Sequence, residues 1–324
     1  MAVYTENLRE IIFSTHSVLQ ACDSFVIISG YIGPNPIREL MELPVKCDVI
    51  YGMYGIDGIN ERLHKSLIGL ESADLNILYS EMAVHTKCYI WLNKGEIVKG
   101  MSGSANFSDN SLNIDNKEML IEIDSKDFSV LKEYISLVRS NAINCTSDEV
   151  KIIRRLGEER KVNTAMSIFT VRLELYNPRT GKVQDKHGLN WGYSTGNVVP
   201  GDACIAIRSK HLDEVPLLFP PKPLIRTTAG GKSQRENDPI EVIWDDGVIM
   251  SCILEGTQRK IYPKNFTSAK TKGELGKYFR DRLGIKKIRK ITMEDLESYG
   301  RTDIELTYIA PGVYTADFSV PKKM

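Results

Sequence analysis

The apolar segments of this 324-residue chain change their pattern near residue 161. Before that point, short apolar runs such as 25–29 and 49–51 alternate with amphipathic stretches at helical spacing, such as 5–20 and 126–139. After it, most apolar runs are strand-like and are separated by Gly, Pro, Asn and Asp. Alternating strands and helices are typical of a layered α/β domain, whereas serial short strands are typical of a sandwich or barrel. The sequence therefore predicts an α/β domain followed by a mostly-β domain, which we expect to be a small barrel.

A charged segment separates the two predicted domains. Residues 146–161 are rich in Lys, Arg and Glu, and they open with a capping box in which Glu149 stands three residues after Thr146. We therefore predict a linker helix over 146–161, with one domain at 1–145 and the other at 162–324. The helices predicted within the second domain span 273–283 and 293–299.

Charge is divided unevenly between the two halves, although the chain as a whole is neutral. Residues 1–160 carry 16 Lys and Arg against 23 Asp and Glu, a net charge of −7, and residues 161–324 carry 26 against 19, a net charge of +7. Such a split suits two modules with different partners. The basic half is the one expected to dock on a polyanion.

Cysteine usage and hydropathy narrow the class of protein. The six cysteines form no C-x-x-C pair and have no paired spacing with histidine, which argues against a zinc site or a disulfide framework. Reduced thiols in a cytoplasm are then the ordinary expectation. The N-terminus lacks a basic and apolar leader, and no window approaches 18 apolar residues. We therefore expect a cytoplasmic protein without a membrane segment.

The most specific local pattern is His85-Thr86-Lys87, followed by Gly103-Ser104-Ala105-Asn106 and then Glu118. In an extended strand, side chains two residues apart point to the same face, so His85 and Lys87 project together. Such a set suits attack on a phosphodiester without a metal, because a neutral imidazole can be the nucleophile while Lys and Asn hold the oxygens on which charge builds up. A carboxylate can fix the histidine tautomer and stabilise the cation that forms. The candidate catalytic residues, with no metal or other cofactor, are His85, Lys87, Ser104, Asn106 and Glu118.

This order of motifs, H-x-K, then G-S-x-N and a downstream Glu, resembles the signature of the phospholipase D superfamily over roughly residues 20–125. The resemblance implies a mixed sheet between helices. Leu92 stands where the family pattern often has Asp five residues after the Lys, which argues against a lipase more than against a nuclease. The second domain resembles, in layout and in the segments 273–283 and 299–303, the B3-like DNA-binding barrel of phospholipase-D-type restriction endonucleases of the BfiI/NgoFVII type. In that family two arms grip the major groove.

The number of H-x-K motifs bears on the assembly. Cleavage through a covalent phosphohistidine needs one histidine as the nucleophile and another to protonate the leaving oxygen. Of the five histidines, only His85 has a Lys two residues on. The monomeric members of the family that the chain resembles carry two copies of the motif. We therefore expect a homodimer through the N-terminal domain, with both His85 residues meeting at its twofold axis.

Two basic clusters in the second domain are candidates for DNA contact. One lies in a turn-rich loop, and the other follows the predicted strand at 251–254. Arg reads guanine edges, Asn reads adenine and Lys mostly neutralises phosphate, and loops on a scaffold commonly carry binding residues. The candidates are Arg179, Lys182, Lys186, Asn190 and Trp191 in the first cluster, and Arg259, Lys260, Lys264, Lys270 and Lys272 in the second.

Together these observations predict a site-specific, metal-independent endonuclease for double-stranded DNA, a type II-like restriction enzyme that works through a phosphohistidine intermediate. Four alternatives stay open. Cutting could require a separate ATP-driven subunit, or the substrate could be a phospholipid or another small phosphodiester. The chain could also be a DNA-binding module with an inactive nuclease domain. A metal-dependent nuclease site, finally, could be built from Asp115 with Asp124-Ser125-Lys126.

Overall fold

The computed structural model describes residues 2–153, 169–226 and 233–320. These residues divide into two compact units, one formed by 2–153 with 310–312 and the other by the remaining described residues of 169–320. Within the described ranges, no helix is long and apolar enough to cross a lipid bilayer.

Residues 146–153, the described part of the predicted linker helix, are not helical. Residues 146–151 are turns and irregular backbone, and Ile152–Ile153 is a short strand. Ile152 pairs with Ile59 in a parallel ladder, so pairing with the N-terminal unit overrides the local helix signal of the capping box. Residues 154–161 lie outside the described residues, and the domain boundaries at 145 and 162 stay a prediction.

An eight-stranded sheet organises the N-terminal unit, and a two-stranded ladder accompanies it. In chain order the strands are β1 (Val3–Tyr4), β2 (Ser24–Ser29), β3 (Lys46–Tyr51), β4 (Ile59–Asn60), β5 (Leu75–Ser80), β6 (Lys87–Asn93), β7 (Glu96–Gly103), β8 (Leu120–Glu122), β9 (Ala142–Asn144) and β10 (Ile152–Ile153).

The large sheet is mixed, as the resemblance implies. Its strand order is β1-β8-β7-β6-β2-β3-β5-β9, and β4 pairs with β10 separately. Strands β2, β3 and β5 are parallel to one another, whereas β6 runs antiparallel to β2 and pairs with β7 as a hairpin. The predicted α/β domain with a mixed sheet is confirmed, and its H-x-K segment lies at the sheet centre, where β6 begins beside β2.

Helices connect and cover these strands. Pro34 opens one of them at a position where its missing N–H costs nothing. Another follows Asn60, whose side chain accepts hydrogen bonds from the backbone N–H of Arg62 and Leu63. In residues 2–153 the helices are α1 (Leu8–Val18), α2 (Pro34–Leu40), α3 (Tyr54–Asp57), α4 (Glu61–Ile68), α5 (Asp109–Leu112) and α6 (Phe128–Ser140), with a 3-10 turn at Ser125–Asp127.

The central strands of this sheet are buried on both faces, which explains why β2 and β6 read as near-continuous apolar runs rather than as alternating ones. Phe25 and Trp91 are directly opposite across the β2–β6 ladder, and their rings stack with centroids 4.7 Å apart. The apolar face of α6 covers one side of the sheet through Leu131, Ile135 and Val138. This burial fixes the strands whose ends carry the candidate catalytic residues.

The C-terminal unit is built on a seven-stranded sheet with a separate two-stranded hairpin. In chain order the strands are β11 (Thr170–Glu174), β12 (Ile205–Ala206), β13 (Leu224–Arg226), β14 (Ser233–Arg235), β15 (Asp238–Trp244), β16 (Ile249–Glu255), β17 (Asn265–Ser268), β18 (Asp303–Ala310) and β19 (Val313–Asp317).

This sheet is a nearly closed barrel. Its order is β11-β18-β19-β15-β16-β17-β12, and the two end strands, β11 and β12, approach each other. The barrel interior is aromatic and includes Trp244, Phe279 and Phe318, each fully buried. The predicted mostly-β barrel is confirmed.

The predicted helices of the second domain are confirmed to within one residue at each end. The second of them begins with a capping box in which Thr292 and Asp295 exchange hydrogen bonds. Short segments complete the unit: α7 (Ser209–Glu214), α8 (Lys272–Arg282), α9 (Met293–Tyr299) and a 3-10 segment at Gly188–Tyr193.

Candidate active site and nucleic-acid interface

His85 and Lys87 lie together where β6 begins. Lys87 is the first residue of β6 and stands opposite Ser29 of β2, while His85 lies in the irregular segment just before the strand. Gly30 follows Ser29 and leaves the space that both side chains need. A Cβ atom at Gly30 would lie 2.9 Å from His85 Cδ2 and 3.2 Å from Lys87 Nζ. The absence of a side chain at this position therefore permits the pair.

The Lys87 ammonium is buried against the histidine that it accompanies. Its Nζ atom donates to the backbone oxygen of His85 at 2.6 Å and lies 3.1 Å from both ring nitrogens. Both ring nitrogens therefore lie within hydrogen-bond distance of the ammonium, and the tautomer of the imidazole decides which of them accepts. Lys87 is 6% exposed, whereas His85 is open to solvent. The imidazole is accessible and the ammonium beside it is held in place.

Burial lowers the pKa of the Lys87 ammonium below its ordinary value, and the nearby negative charge of Glu118 opposes part of that shift. Desolvated cations interact more strongly with a phosphoryl oxygen than solvated ones do. The shift thus reflects the dry environment in which Lys87 would act.

Asn106 and Ser104 come from the turn that follows β7. Asn106 is 9% exposed, and its Oδ1 accepts a hydrogen bond from the backbone N–H of Tyr31 at 3.1 Å. This bond orients the carboxamide. Beneath the turn, the buried Tyr89 hydroxyl donates to the backbone oxygen of Ala105 at 2.9 Å. The turn is therefore fixed to both neighbouring strands, and Asn106 is rigidly placed.

Ser104 ties the turn to the next strand. Its backbone N–H donates to the oxygen of Met119, and its Oγ accepts from the N–H of Met119, both at 3.0 Å. Ser104 itself is exposed. These bonds hold residue 104 beside Glu118, the residue before Met119.

Glu118 takes a different place from the one predicted. It is close enough to Lys87 to raise that residue's pKa, but within the described residues no hydrogen bond joins Glu118 to His85. The expectation that it orients the histidine is therefore not met in this conformation. Its charge acts on the buried lysine instead.

Tyr31 is an additional residue at this site. Its ring meets the His85 ring edge-on, with centroids 6.0 Å apart, and its hydroxyl donates to Asp57 at 3.2 Å. On the other side of the motif, the Tyr134 hydroxyl donates to Thr86 Oγ1 at 2.7 Å. The sequence signal for such residues is weak, because neither Gly30 nor Tyr134 lies within the H-x-K or G-S-x-N patterns.

The acidic residues of the alternative metal site are used as caps. Asp115 accepts a hydrogen bond from the N–H of Asn7, at the start of α1, and Asp124 accepts from the N–H of Lys126. Within the described residues, no group of three or more His, Cys, Asp and Glu side chains is placed to hold a metal ion.

Eight of the ten predicted DNA-contacting residues lie on two loops of the barrel, and Lys270 and Lys272 follow β17. Loop A, residues 175–204, joins β11 to β12, and loop B, residues 256–264, joins β16 to β17. The second basic cluster is not one loop, because β17 interrupts it. The exposed members of the two clusters are Arg179, Lys182, Lys186, Arg259, Lys260, Lys264 and Lys270.

Two candidate cations are engaged within the protein. Arg259 forms an ion pair with Asp213 at 2.6 Å and also donates to the backbone of Ser209. Lys272 pairs with Glu255 at 3.2 Å, and its Nζ lies 4.0 Å from the centre of the Trp191 ring. Lys272 and Trp191 thus contact each other across the two predicted clusters.

Asn190 is a correction to the predicted interface. It is 1% exposed, so it is not free to read a base edge. Its Nδ2 donates to the backbone oxygens of Gln184 and Ile291, and its Oδ1 accepts from the N–H of Ile291 at 2.8 Å. Because its amide is engaged in these hydrogen bonds within the protein, Asn190 stabilises loop A and is not free to contact DNA.

A concavity of about 470 Å³ lies between loop A and the strands beside loop B. Of the predicted residues, Trp191 and Lys264 line it. Sequence reasoning did not select its other polar lining residues, since neutral or isolated residues in a loop give no charge signal. They are Glu174, Tyr176, Gln184, His187, Arg208 and Asn265.

The chain matches two family models that together span nearly its whole length. Residues 6–152 match the NgoFVII restriction endonuclease N-terminal PLD domain, and residues 163–310 match the NgoFVII C-terminal B3-like DNA-binding domain. No match was found among curated proteins.

Three solved structures are similar to part of the chain. NucT from Helicobacter pylori is 15% identical, with a TM-score of 0.33, and the match covers 44% of this chain and 97% of NucT. Nuc from Salmonella typhimurium, a phospholipase D family member, is 13% identical with a TM-score of 0.31 and the same coverage, 44% and 97%. Polyphosphate kinase from Porphyromonas gingivalis is 15% identical with a TM-score of 0.29, over 47% of this chain and 26% of the kinase.

Proposed function

We propose, because this chain belongs to the NgoFVII restriction endonuclease family, with its PLD and B3-like DNA-binding domains, that it is a site-specific DNA endonuclease. The N-terminal unit cuts the phosphodiester, and the C-terminal barrel selects the sequence. Cutting proceeds without a metal ion, through a phosphohistidine formed at a site that two copies of the chain share.

The first chemical step is attack by His85 on the scissile phosphorus. A ring nitrogen forms the N–P bond, the P–O bond to the leaving nucleotide breaks, and the His85 of the second copy gives its proton to the departing oxygen. Lys87 and the amide of Asn106 hold the non-bridging oxygens, where negative charge builds up. The burial of both side chains supports this role, since it fixes them before the substrate arrives.

The second step releases the enzyme. The second copy's His85, now neutral, takes a proton from water, and the resulting hydroxide oxygen attacks phosphorus as the N–P bond breaks. The product is a phosphate monoester end, and both histidines return to their starting protonation states. Neither step requires a redox partner or a nucleotide cofactor.

The observation that carries the proposal is the joint placement of an exposed imidazole, a buried ammonium and an oriented carboxamide at the β6 start. The two other histidines of this unit have different surroundings. His64 is buried, with Nδ1 3.1 Å from the Tyr79 hydroxyl, and His16 lies in the last turn of α1 with its Nδ1 buried. Within the described residues neither ring contacts His85, so neither is placed to protonate the leaving group. A second copy of the chain therefore supplies the acid most simply.

Cleavage of a mixed-sequence DNA library in excess EDTA, followed by sequencing of the ends, tests the proposal. We expect double-strand cuts at a defined distance from one sequence, and a covalent phosphoprotein trapped by acid quenching. Cutting that appears only after magnesium or manganese is added would overturn the metal-independent mechanism. Cutting that appears only with a second protein and ATP would show that the chain is a nuclease subunit that depends on an ATPase partner.

A further inference from the structure

The concavity of the C-terminal barrel presents two polar side chains, Gln184 and His187. Both lie in loop A, both are exposed, and both line the concavity of about 470 Å³. Within the described residues, neither side chain has a hydrogen bond or an ion pair. An amide and an imidazole without protein partners have donors and acceptors to offer a ligand.

The backbone that carries these two residues is held in place. The Asn190 amide donates to the oxygen of Gln184 at 3.1 Å, and the N–H of Asn190 donates to the oxygen of His187 at 3.1 Å. The same amide exchanges hydrogen bonds with Ile291, 101 residues away. Asp185, which lies between Gln184 and His187 in the sequence, forms an ion pair with Lys290 at 3.2 Å. Free side chains on a fixed backbone are preorganised for recognition.

The part of the concavity lining that loop B contributes is also braced. In loop B, Gln258 donates from Nε2 to the backbone oxygens of Ile207 and Pro263, at 2.6 and 2.7 Å. Lys264 follows this brace, lines the concavity and is exposed, with no ion pair within the described residues. A free cation and two polar side chains that line the same concavity suit a phosphate backbone and the base edges beside it.

We infer that Gln184 and His187 determine the DNA sequence that the barrel selects, and that the exposed cations of loop A only position the backbone. This inference rests on the proposed function. A glutamine amide matches the N6 and N7 groups of adenine, and an imidazole N–H donates to the N7 acceptor of a purine. Arg179, Lys182 and Lys186 instead neutralise phosphate, which is not sequence-specific. Asn190 is the positioning residue for both readers.

Selection of randomised duplexes by the full chain, with cleavage blocked by His85→Ala, tests the inference. In that background, Gln184→Ala should remove an adenine preference of about tenfold at one position and leave the other positions unchanged. Gln184→Glu should move that preference toward cytosine, because a carboxylate accepts from the cytosine amino group. His187→Ala should relax a purine preference at a second position.

Lys186→Ala is the matched control, from the same loop but outside the concavity. It should weaken binding to all sequences and lower the slope of log affinity against log salt by about one, with the selected sequence unchanged. If Gln184→Ala and His187→Ala both keep the parent's base preferences and unfolding temperature, the inference is wrong while the proposed function stands. A parent chain that binds DNA without preference would overturn both the inference and the site-specificity. A parent chain that binds no DNA would overturn the proposed function as well.

Discussion

The two units of this protein hold their positive charges in opposite environments. At the start of β6, Lys87 is 6% exposed and is fixed against His85. In loop A the cations Arg179, Lys182 and Lys186 are exposed at the surface. Charge stabilisation in a reaction requires a dry and fixed cation, whereas docking on a polyanion gains from solvated cations that release counterions. The role of a basic residue therefore cannot be assigned from the sequence until its burial is known.

The comparison predicts that removing the nucleophile separates cutting from binding. His85→Ala should lower single-turnover cleavage by at least about a thousandfold, while specific DNA binding stays within about a factor of two. Cleavage and filter binding of the purified variant measure both effects. His16→Gln, a change on α1, is the control that should leave cleavage in place.

Mixed dimers sharpen the same test. If two His85 residues share one site, a heterodimer of wild-type and His85→Ala chains should lose nearly all activity rather than half of it. Retention of half the activity would show that each chain carries a complete site, and would contradict the shared-site mechanism.

Filling the space at Gly30 should disturb the active site without touching DNA docking. In Gly30→Ala the new Cβ meets His85 Cδ2 at 2.9 Å, so the imidazole must shift. We expect cleavage to fall by about 10- to 100-fold, because a small misplacement of reacting groups has effects of that order. The control is Gly69→Ala, where the nearest atom lies 3.6 Å from the new Cβ. Equal activity of the two variants would contradict the packing argument.

In the C-terminal unit the largest effect should come from a neutral residue. Asn190→Ala leaves the backbone groups of Gln184 and Ile291 without their partner, so we expect a loss of roughly 2–3 kcal/mol in the free energy of unfolding. Lys186→Ala should change it by less than about 0.5 kcal/mol. Chemical denaturation followed by fluorescence measures both. A larger loss of unfolding free energy in Lys186→Ala than in Asn190→Ala would mean that Asn190 does not stabilise loop A.

The smallest expected effect is a shift in pH dependence. Lys87 must be protonated to hold the phosphoryl oxygens, so cleavage should fall as pH rises through its lowered pKa. Glu118 raises that pKa, and Glu118→Gln removes its charge. The alkaline limb of the rate profile, normalised to each enzyme's maximum, should then move to lower pH. Asp115→Asn is the control, because Asp115 caps α1. If the alkaline limb of Glu118→Gln stays in place or moves to higher pH, Glu118 does not raise the pKa of Lys87 in the way described.

The sequence by itself determined the domain order, the two fold classes and the group of side chains at the start of β6. His85 and Lys87 are two positions apart at the start of β6, and Ser104 and Asn106 lie in the turn that follows β7. Because β6 and β7 form an antiparallel hairpin, the start of β6 and the end of β7 lie at the same end of the sheet, so two motifs close in sequence are brought together.

Only the tertiary structure decided which residues of the second unit are free. Asn190 looked like a base reader but is fixed to Ile291, 101 residues away, and Arg259 pairs with Asp213 across 46 residues. Glu118, likewise, lies near Lys87 without a hydrogen bond to His85. Partners that distant in the chain meet only when the barrel or sheet closes, and a single sequence carries no periodic signal for them. Burial and pairing, which set the role of a polar side chain, are properties of the packed structure.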